Sequence, residues 1–284
     1  MRFHQSGAEL FIPDGLPPEE ALARTTHLAI GAHPDDIEIL AYHGIAECYG
    51  REDRWFAGAT VTDGAGSPRV GPYGGYADEE MRKIRKAEQI KAAIIGEYAA
   101  IALLDHPSSA VKDPARTEVI DDLEAILRAG RPEVLYTHNP ADKHETHVAT
   151  ALRAIAAARR LPAGARPRAF YGCEVWRDLD WLLDADKRAL DVGARENLAA
   201  ALVGVFDSQI SGGKRYDLAT AGRRRAHATY HESHGADVSA ALTFAMDLTP
   251  LLEDPGLDVA EYVLGHIRRF EEDVATKLRK LSCV

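Results

Sequence analysis

Along the chain, short apolar runs alternate with longer segments in which apolar positions recur at helical spacing. These are the patterns of buried strands and amphipathic helices. The runs THLAIGA (26–32), WFAGATVTDG (55–64), AAIALLD (99–105) and EVLYTH (133–138) predict strands, and RAFYGCEVW (168–176) a fifth. Between them, 37–50 predicts a helix stopped by Gly50, and 78–96 one with Asp78 as N-cap and Gly96 as its stop. Two more helices are predicted over 113–130, with Pro114 near the start, and over 144–160. The Gly/Pro-rich stretch 64–77 is too long for a simple connection, and such loops are usually functional or disordered. The alternation over 26–176 predicts an α/β architecture, a mostly parallel sheet covered on both faces. From about 190 the pattern turns mainly helical. The expected organisation is a single domain over 1–284, with a core of about 26–176 and an appended, mainly helical C-terminal part of about 177–284.

In such sheets, ligands bind beyond the carboxyl ends of the strands. Two polar clusters fall there. GAHPDDIEIL (31–40) closes the first strand, and THNPADKHETH (137–147) follows the fourth. His144 and His147 are three apart at a helix start and share a face. Together the clusters offer His33, Asp35, Asp36, His144 and His147. Two imidazoles and a carboxylate make the open ligand set of a catalytic zinc. A second carboxylate can act as general base and a further histidine as acid, which points to metal-assisted hydrolysis. Alone, an HxxH pair often caps or packs a helix start, and adjacent aspartates often cap one. Their occurrence at equivalent edges of one sheet favours the metal. Glu38, in the first helical turn, is expected to support the site or to cap the helix.

Composition narrows the classes. With 284 residues and 46% hydrophobic content, the chain can bury a sizeable core. The net charge is −10, and the basic segment AGRRRAHA (221–228) is short, which excludes nucleic acid as an expected partner. Cys48, Cys173 and Cys283 are odd in number and far apart, arguing against a disulfide scaffold and for a reducing compartment. The N-terminal stretch has no long apolar segment, and no run approaches a membrane span of roughly 20 residues. No membrane partner and a cytoplasmic location are therefore expected.

AHPDDIE (32–38), PADKHETH (140–147), TDGAGSP (62–68) and the Arg-x-x-Glu at Arg85 and Glu88 resemble the motifs of the PIG-L/LmbE-like zinc-dependent N-deacetylases. The resemblance covers about residues 26–160. It implies a Rossmann-like three-layer hydrolase that removes an N-acetyl group from a small N-acetylglucosamine-type compound. Carried over by position, His33, Asp36 and His147 would bind zinc, and Asp35 would be the general base. His144, when protonated, would be the general acid or oxyanion partner. Arg85 would hold the sugar, and Asp105 would bind sugar hydroxyls. The same donors accept other divalent ions. Family members are often homo-oligomers.

The chain departs from the family pattern in several places. Leu40, Tyr42 and His43 stand where small residues are common, and Thr146 where an aspartate is frequent. His43 reads as a partly exposed helix histidine. His227, His231 and His234 share a helical face, read as a solvated or interface face rather than a second metal site. In a third reading, that helix closes over the pocket. Gln209 is read as structural or site-lining, and Trp176 and Trp181 as a sugar-stacking wall or as core. The expected function is N-acetyl hydrolysis. The alternatives are cleavage of a larger N-acyl group, or a non-catalytic metal- or sugar-binding protein.

Overall fold

Five parallel strands form the middle of one sheet in this computed structural model, which describes residues 1–282. In chain order the first elements are β1 (Glu9–Phe11), α1 (Pro18–Ala23), β2 (His27–Gly31), α2 (Asp36–Leu40), α3 (Tyr42–Cys48), β3 (Phe56–Thr62) and α4 (Asp78–Ile95). Then come β4 (Ala100–His106), α5 (Ser108–Lys112), α6 (Glu118–Gly130), β5 (Val134–His138), α7 (Glu145–Arg159) and β6 (Ala169–Cys173). The C-terminal part holds β7 (Lys187–Asp191), α8 (Glu196–Gly204), α9 (Asp207–Ile210), α10 (Tyr216–Tyr230), β8 (Leu242–Asp247), α11 (Pro250–Glu253) and α12 (Val259–Leu281). The strand order is β1-β4-β3-β2-β5-β6-β8-β7. The segment β4-β3-β2-β5-β6 is parallel throughout.

Every residue of β2, β3 and β5 is buried, as a parallel strand covered on both faces requires. Alternation then divides the core. Leu28 and Ile30 of β2 join Leu123, Leu127 and Ile155 on one face. Ala29 joins Ile37, Ile45 and Phe56 on the other. The result is the expected three-layer α/β fold.

Three local expectations are corrected. The helix expected over 37–50 is two short helices, broken at Ala41 (φ −119°, ψ 21°). Leu40 and Tyr42 flank this break, and both are buried. Tyr42 is fully buried, and its hydroxyl donates to the carbonyls of Ala194 and Arg195 at 2.9 and 2.8 Å. Gly44 keeps the close contact with the sheet, because a Cβ there would lie 2.7 Å from the Tyr136 ring. Ala77, not Asp78, is the N-cap of α4, and Glu80 accepts the Ala77 N–H at 2.8 Å. The helix expected from 113 begins at Glu118. The mainly helical C-terminal part also carries two strands: β8 pairs antiparallel with β6, and β7 with β8, extending the same sheet. Cys48 and Cys173 are free and buried, and Cys283 lies outside the described residues. Among the described residues, no helix is long and apolar enough to cross a membrane.

His27, the first residue of β2, is buried beside the Cys48 thiol and the Thr26 hydroxyl. Burial lowers its pKa to about 4, from an ordinary 6.5. Between these values the unfolded chain binds more protons than the folded one. Stability is therefore lost as pH falls through 6.5 and the loss levels off below about 4. We expect urea melts at pH 7 and pH 4.5 to show a loss in the wild type that is smaller in His27→Leu, by at most about 3 kcal/mol. Equal losses in both proteins would exclude His27 as the source.

Candidate metal centre and active site

From β2 the chain builds β3 and β4 to one side, then crosses to β5 on the other side of β2. The crevice beyond the carboxyl ends of β2 and β5 is the topological switch point at which open α/β sheets bind ligands. The loop after β2 brings His33 to Asp36 there, and the loop after β5 brings residues 139–147. The two loops meet over a cavity of about 490 Å³.

At its floor three donor atoms form a triangle. Asp36 Oδ2 lies 3.1 Å from His33 Nδ1 and 3.4 Å from His147 Nε2, and the two nitrogens are 3.3 Å apart. Donors on a tetrahedral zinc, each about 2.1 Å from the ion, are separated by about 3.4 Å. The triangle therefore matches one face of such a shell, and the N/N/O set suits zinc or a similar divalent cation. Asp36 is fixed from below by the His33 backbone N–H, which donates to Oδ2 at 2.7 Å. Burial alone would raise the Asp36 pKa, but His147 and His138 outweigh it and hold the carboxyl well below its ordinary range. Burial lowers His147 to about 4, so its imidazole is neutral at pH 7 and able to ligate.

Two buried groups that the sequence reading did not single out support this triangle. Asp142 Oδ2 lies 3.3 Å from His147 Nδ1, the carboxylate–histidine arrangement that orients a metal-binding imidazole. Its other oxygen accepts the His144 and Arg177 backbone N–H groups. Asp142 thus supplies a carboxylate partner that Thr146 cannot, but to His147 rather than to His144. The motif quoted for residues 140–147 already contained it. His138 stacks on His147 with ring centroids 3.9 Å apart, and its Nε2 is 3.4 Å from Asp36 Oδ2. Asp36, His138 and His147 form one close donor group and His33, His144 and His147 another. However, His138 Nε2 accepts the Ala32 N–H at 2.9 Å, which commits its lone pair. His138 therefore packs against the site rather than offering a further donor.

Asp35 is neighbour to Asp36 in sequence but points elsewhere. Its φ of 95° turns the chain sharply between β2 and α2. For a non-glycine residue this conformation is strained, as functional sites often are. The turn is held by Gln89, whose Oε1 accepts the Asp35 N–H at 3.2 Å. Gln89 is held in turn by the buried Glu38, whose Oε1 accepts from Gln89 Nε2 and the Tyr98 hydroxyl, each at 2.8 Å. Arg85, 1% exposed, bonds the Pro34 carbonyl and lies 3.4 Å from Asp35 Oδ2. Gly64 (φ +69°) makes room for it, since a Cβ there would sit 3.3 Å from the arginine side chain. Burial raises the Asp35 pKa to about 7, Arg85 opposes that and Asp36 adds to it. A carboxyl that loses its proton near neutrality is suited to general-base work.

His144 is the N-cap residue of α7, with its ring centroid 5.1 Å from His33 and 4.5 Å from His147. Burial and the nearby His33 lower its pKa, so it is a neutral imidazole at pH 7 and not the protonated one expected from the sequence. Trp176 lies nearly parallel to it at 6.2 Å and lines the cavity, whereas Trp181 packs on the core. Gln209 and the 64–68 loop also line the cavity.

Asp105 does not reach this cavity. Its left-handed φ of 57° turns it into an adjacent cleft of about 230 Å³, 3.9 Å from Arg82 Nε. The C-terminal histidines do not enter the site either. His227 bonds the buried Glu174 at 3.0 Å, His231 packs on Phe244, and His234 is exposed beyond α10. The start of α10 does close over the cavity, through Tyr216 and the preceding Lys214. His43 is half-buried, bonds the Tyr136 hydroxyl at 2.9 Å and lies outside the cavity.

Residues 28–158 match the family model described as PIG-L, GlcNAc-PI de-N-acetylase. No curated protein matches the chain in sequence. Among solved structures, GalB, the 4-carboxy-2-hydroxymuconate hydratase from Pseudomonas putida KT2440, aligns at 16% identity over 78% of this chain and 95% of its own, with a TM-score of 0.61. The N,N'-diacetylchitobiose deacetylase from Pyrococcus horikoshii aligns at 19% identity over 78% and 83%, with a TM-score of 0.57. The zinc-inhibited form of teicoplanin deacetylase Orf2 aligns at 18% identity over 78% and 97%, with a TM-score of 0.56. These names span hydrolysis and hydration, so the shared fold does not by itself choose the reaction.

The donor triangle leads to a test by elemental analysis. The purified protein is expected to hold about one divalent ion per chain, His147→Ala to lose most of it, and Asp142→Asn to bind it about 10–100-fold more weakly. His138→Gln is expected to retain it. Equal metal in the wild type and in a His33→Ala/His147→Ala double variant would exclude the site.

Proposed function

We propose that this protein, whose residues 28–158 match the PIG-L family model, is a metal-dependent hydrolase that removes the N-acetyl group from a small N-acetylglucosamine-type compound. The observation that carries this reading is the pairing of two adjacent aspartates with different surroundings. Asp36 lies in a donor triangle of metal-site dimensions, and Asp35 stands free beside it with a pKa near 7. A binding protein has no use for a strained carboxylate kept out of the ligand set. The deacetylase names among the fold neighbours agree with the reading.

In this reading His33, Asp36 and His147 hold the cation, zinc by preference. A cation there would supply Lewis-acid polarisation of the acetamide carbonyl and acidification of water. The remaining steps belong to the chain. Asp35 takes the proton from the attacking water as its oxygen bonds to the carbonyl carbon. Arg85 and Gln89 keep Asp35 aimed during that transfer. The neutral His144 donates a hydrogen bond to the developing oxyanion. Protonated Asp35 then passes its proton to the departing nitrogen as the C–N bond breaks, leaving acetate and the free amine. In the same reading Arg85, Trp176 and Gln209, which line the cavity, shape its sugar side. Asp105 has no part unless the substrate extends into the adjacent cleft. A cytoplasmic location and a single functional domain over 1–284 belong to the same proposal.

The test is acetate release from a panel of N-acetyl and longer N-acyl sugars. Asp35→Asn should keep the metal and lower kcat by about 10²-fold or more. Since Asp35 must be deprotonated to act, activity should fall as pH drops, with the acid limb at or below about 7, because a nearby cation would lower that value further. His144 is already neutral and should add no alkaline limb, so His144→Gln should lower kcat without removing one. Wild-type kcat in Asp35→Asn would overturn the assignment of the base. Release of longer acyl groups in preference to acetate would overturn the choice of substrate.

A further inference from the structure

Of the 23 residues of α12, only Val263 and His266 are buried. From Ile267 on, about four turns run along the surface without a buried residue. A helix of that length is marginal in water by itself, and most helices are held by packing of an apolar face. Here the apolar face exists but is uncovered. Leu264, Ile267, Val274, Leu278 and Leu281 are 39–74% exposed. Together with Glu271 they recur at steps of 3, 4, 3, 4 and 3 residues. Those steps make the narrow seam of a coiled coil, not the wider stripe by which a helix packs on a globular core. At about 100° per residue, the seam lies roughly 80° round the helix from Val263 and His266. It is therefore clear of the face that docks on the body of the molecule. It also lies beyond residues 28–158, which match the family model, and no residue of α12 lines the cavity of the donor triangle.

The charges on α12 say how such a seam would be matched. Arg268 pairs with Glu261 at 2.8 Å, Arg269 with Asp186 at 2.9 Å, and Lys277 with Asp273 and Arg279 with Glu272 each at 2.6 Å. Glu271, in the middle of the seam, has no ion-pair partner among the described residues. A polar residue at a core position of a coiled coil fixes its register and orientation. Parallel pairing of two α12 helices would set Glu271 against its own copy, with like charges in contact. Antiparallel pairing about a two-fold axis between residues 272 and 273 matches every layer. Leu264 faces Leu281 of the second copy, Ile267 faces Leu278, and Glu271 lies beside Val274. Lys277 stands one turn on from Val274 on the same side, within reach of Glu271 of the other copy. Its present bond to Asp273 is an exposed i,i+4 pair of small value, readily shared. The two-fold axis makes this ion pair twice, as a self-complementary contact requires.

We propose that α12 is a dimerisation helix, pairing antiparallel with α12 of a second copy of this chain through Leu264, Ile267, Glu271, Val274, Leu278 and Leu281. A lipid surface fits the same face poorly. The seam is narrow and interrupted by a carboxylate, and α12 carries five cations against four anions, which gives little attraction to anionic lipid.

Sedimentation equilibrium of the metal-loaded full chain tests this. The wild type should form a dimer with a Kd on the order of 10 μM, as for a small specific contact. Val274→Asp/Leu278→Asp should weaken it at least about tenfold, because two charges would be buried without partners. The melting temperature should not fall in that variant at a concentration where both proteins are monomeric, since both side chains are exposed. Glu271→Lys and Lys277→Glu should each weaken the dimer about threefold or more, and Glu271→Lys/Lys277→Glu should recover it. A wild type that stays monomeric an order of magnitude above the expected Kd would overturn the proposal, and so would a dimer that survives Val274→Asp/Leu278→Asp. Failure of the charge exchange to recover the dimer would exclude the antiparallel register. A monomer that cosediments with phosphatidylglycerol-containing vesicles, and loses this in Val274→Asp/Leu278→Asp, would replace the second copy by a lipid surface.

Discussion

The parallel pairing of β2 with β5, in register from His27 against Val134 to Ala29 against Tyr136, fixes the distance across which the site is assembled. Neither cluster could hold a cation alone: one brings His33 and Asp36, the other His147. Only when both strands end side by side do the donor atoms of the two loops close to 3.3–3.4 Å. The register is itself imposed by burial. Both strands are covered on both faces, and a slip by one residue would exchange the two halves of the core. The same hydrophobic packing that stabilises the sheet therefore sets the geometry of a polar site at its edge.

The second constraint is the backbone at Asp35. A regular helix start would send Asp35 and Asp36 only about 100° apart around the axis. The positive φ at Asp35 separates them further, and its cost of order 1–3 kcal/mol is met by the buried chain from Glu38 through Gln89 to the Asp35 N–H. Different surroundings then separate their acidities. Asp36 accepts donors on several sides and stays ionised, whereas Asp35, buried with Arg85 as its principal donor, titrates near neutrality. Two adjacent and chemically identical side chains thereby become suited to two tasks.

Much of this was legible in the sequence, for identifiable reasons. Buried parallel strands are apolar at every position, so β2, β3, β4 and β5 stood out, and the rule that sites lie at strand ends located His33–Asp36 and His144–His147. Three strands were missed. β1 has only three residues, and β7 is an edge strand with polar and charged positions that resembles a loop, whereas β8 is buried at all but its last position and lies, antiparallel to β6, beyond the strand–helix alternation of 26–176. Asp105 also lies at a strand end, but β4 is separated from β2 by β3, and a left-handed φ turns the side chain toward Arg82. Sequence position indicates the sheet edge and does not reveal that turn. His138 and Asp142 lay within a quoted motif, yet their roles depend on an Ala32 N–H and a His147 Nδ1 brought together only by folding. The neutral state of His144 likewise follows from burial, which spacing does not report.

The central claim is that one cation at the β2/β5 switch point and one free carboxylate beside it perform amide hydrolysis together. Its most direct test is a zinc titration of chelator-treated protein, following acetate release from an N-acetylglucosamine compound alongside calorimetric binding. The account predicts that activity rises linearly to a break at about one ion per chain, coincident with the binding break. In Asp35→Asn the binding break should be the same while activity stays near baseline. Full activity in the chelated protein, or an Asp35→Asn variant whose activity follows metal loading as the wild type does, would contradict it.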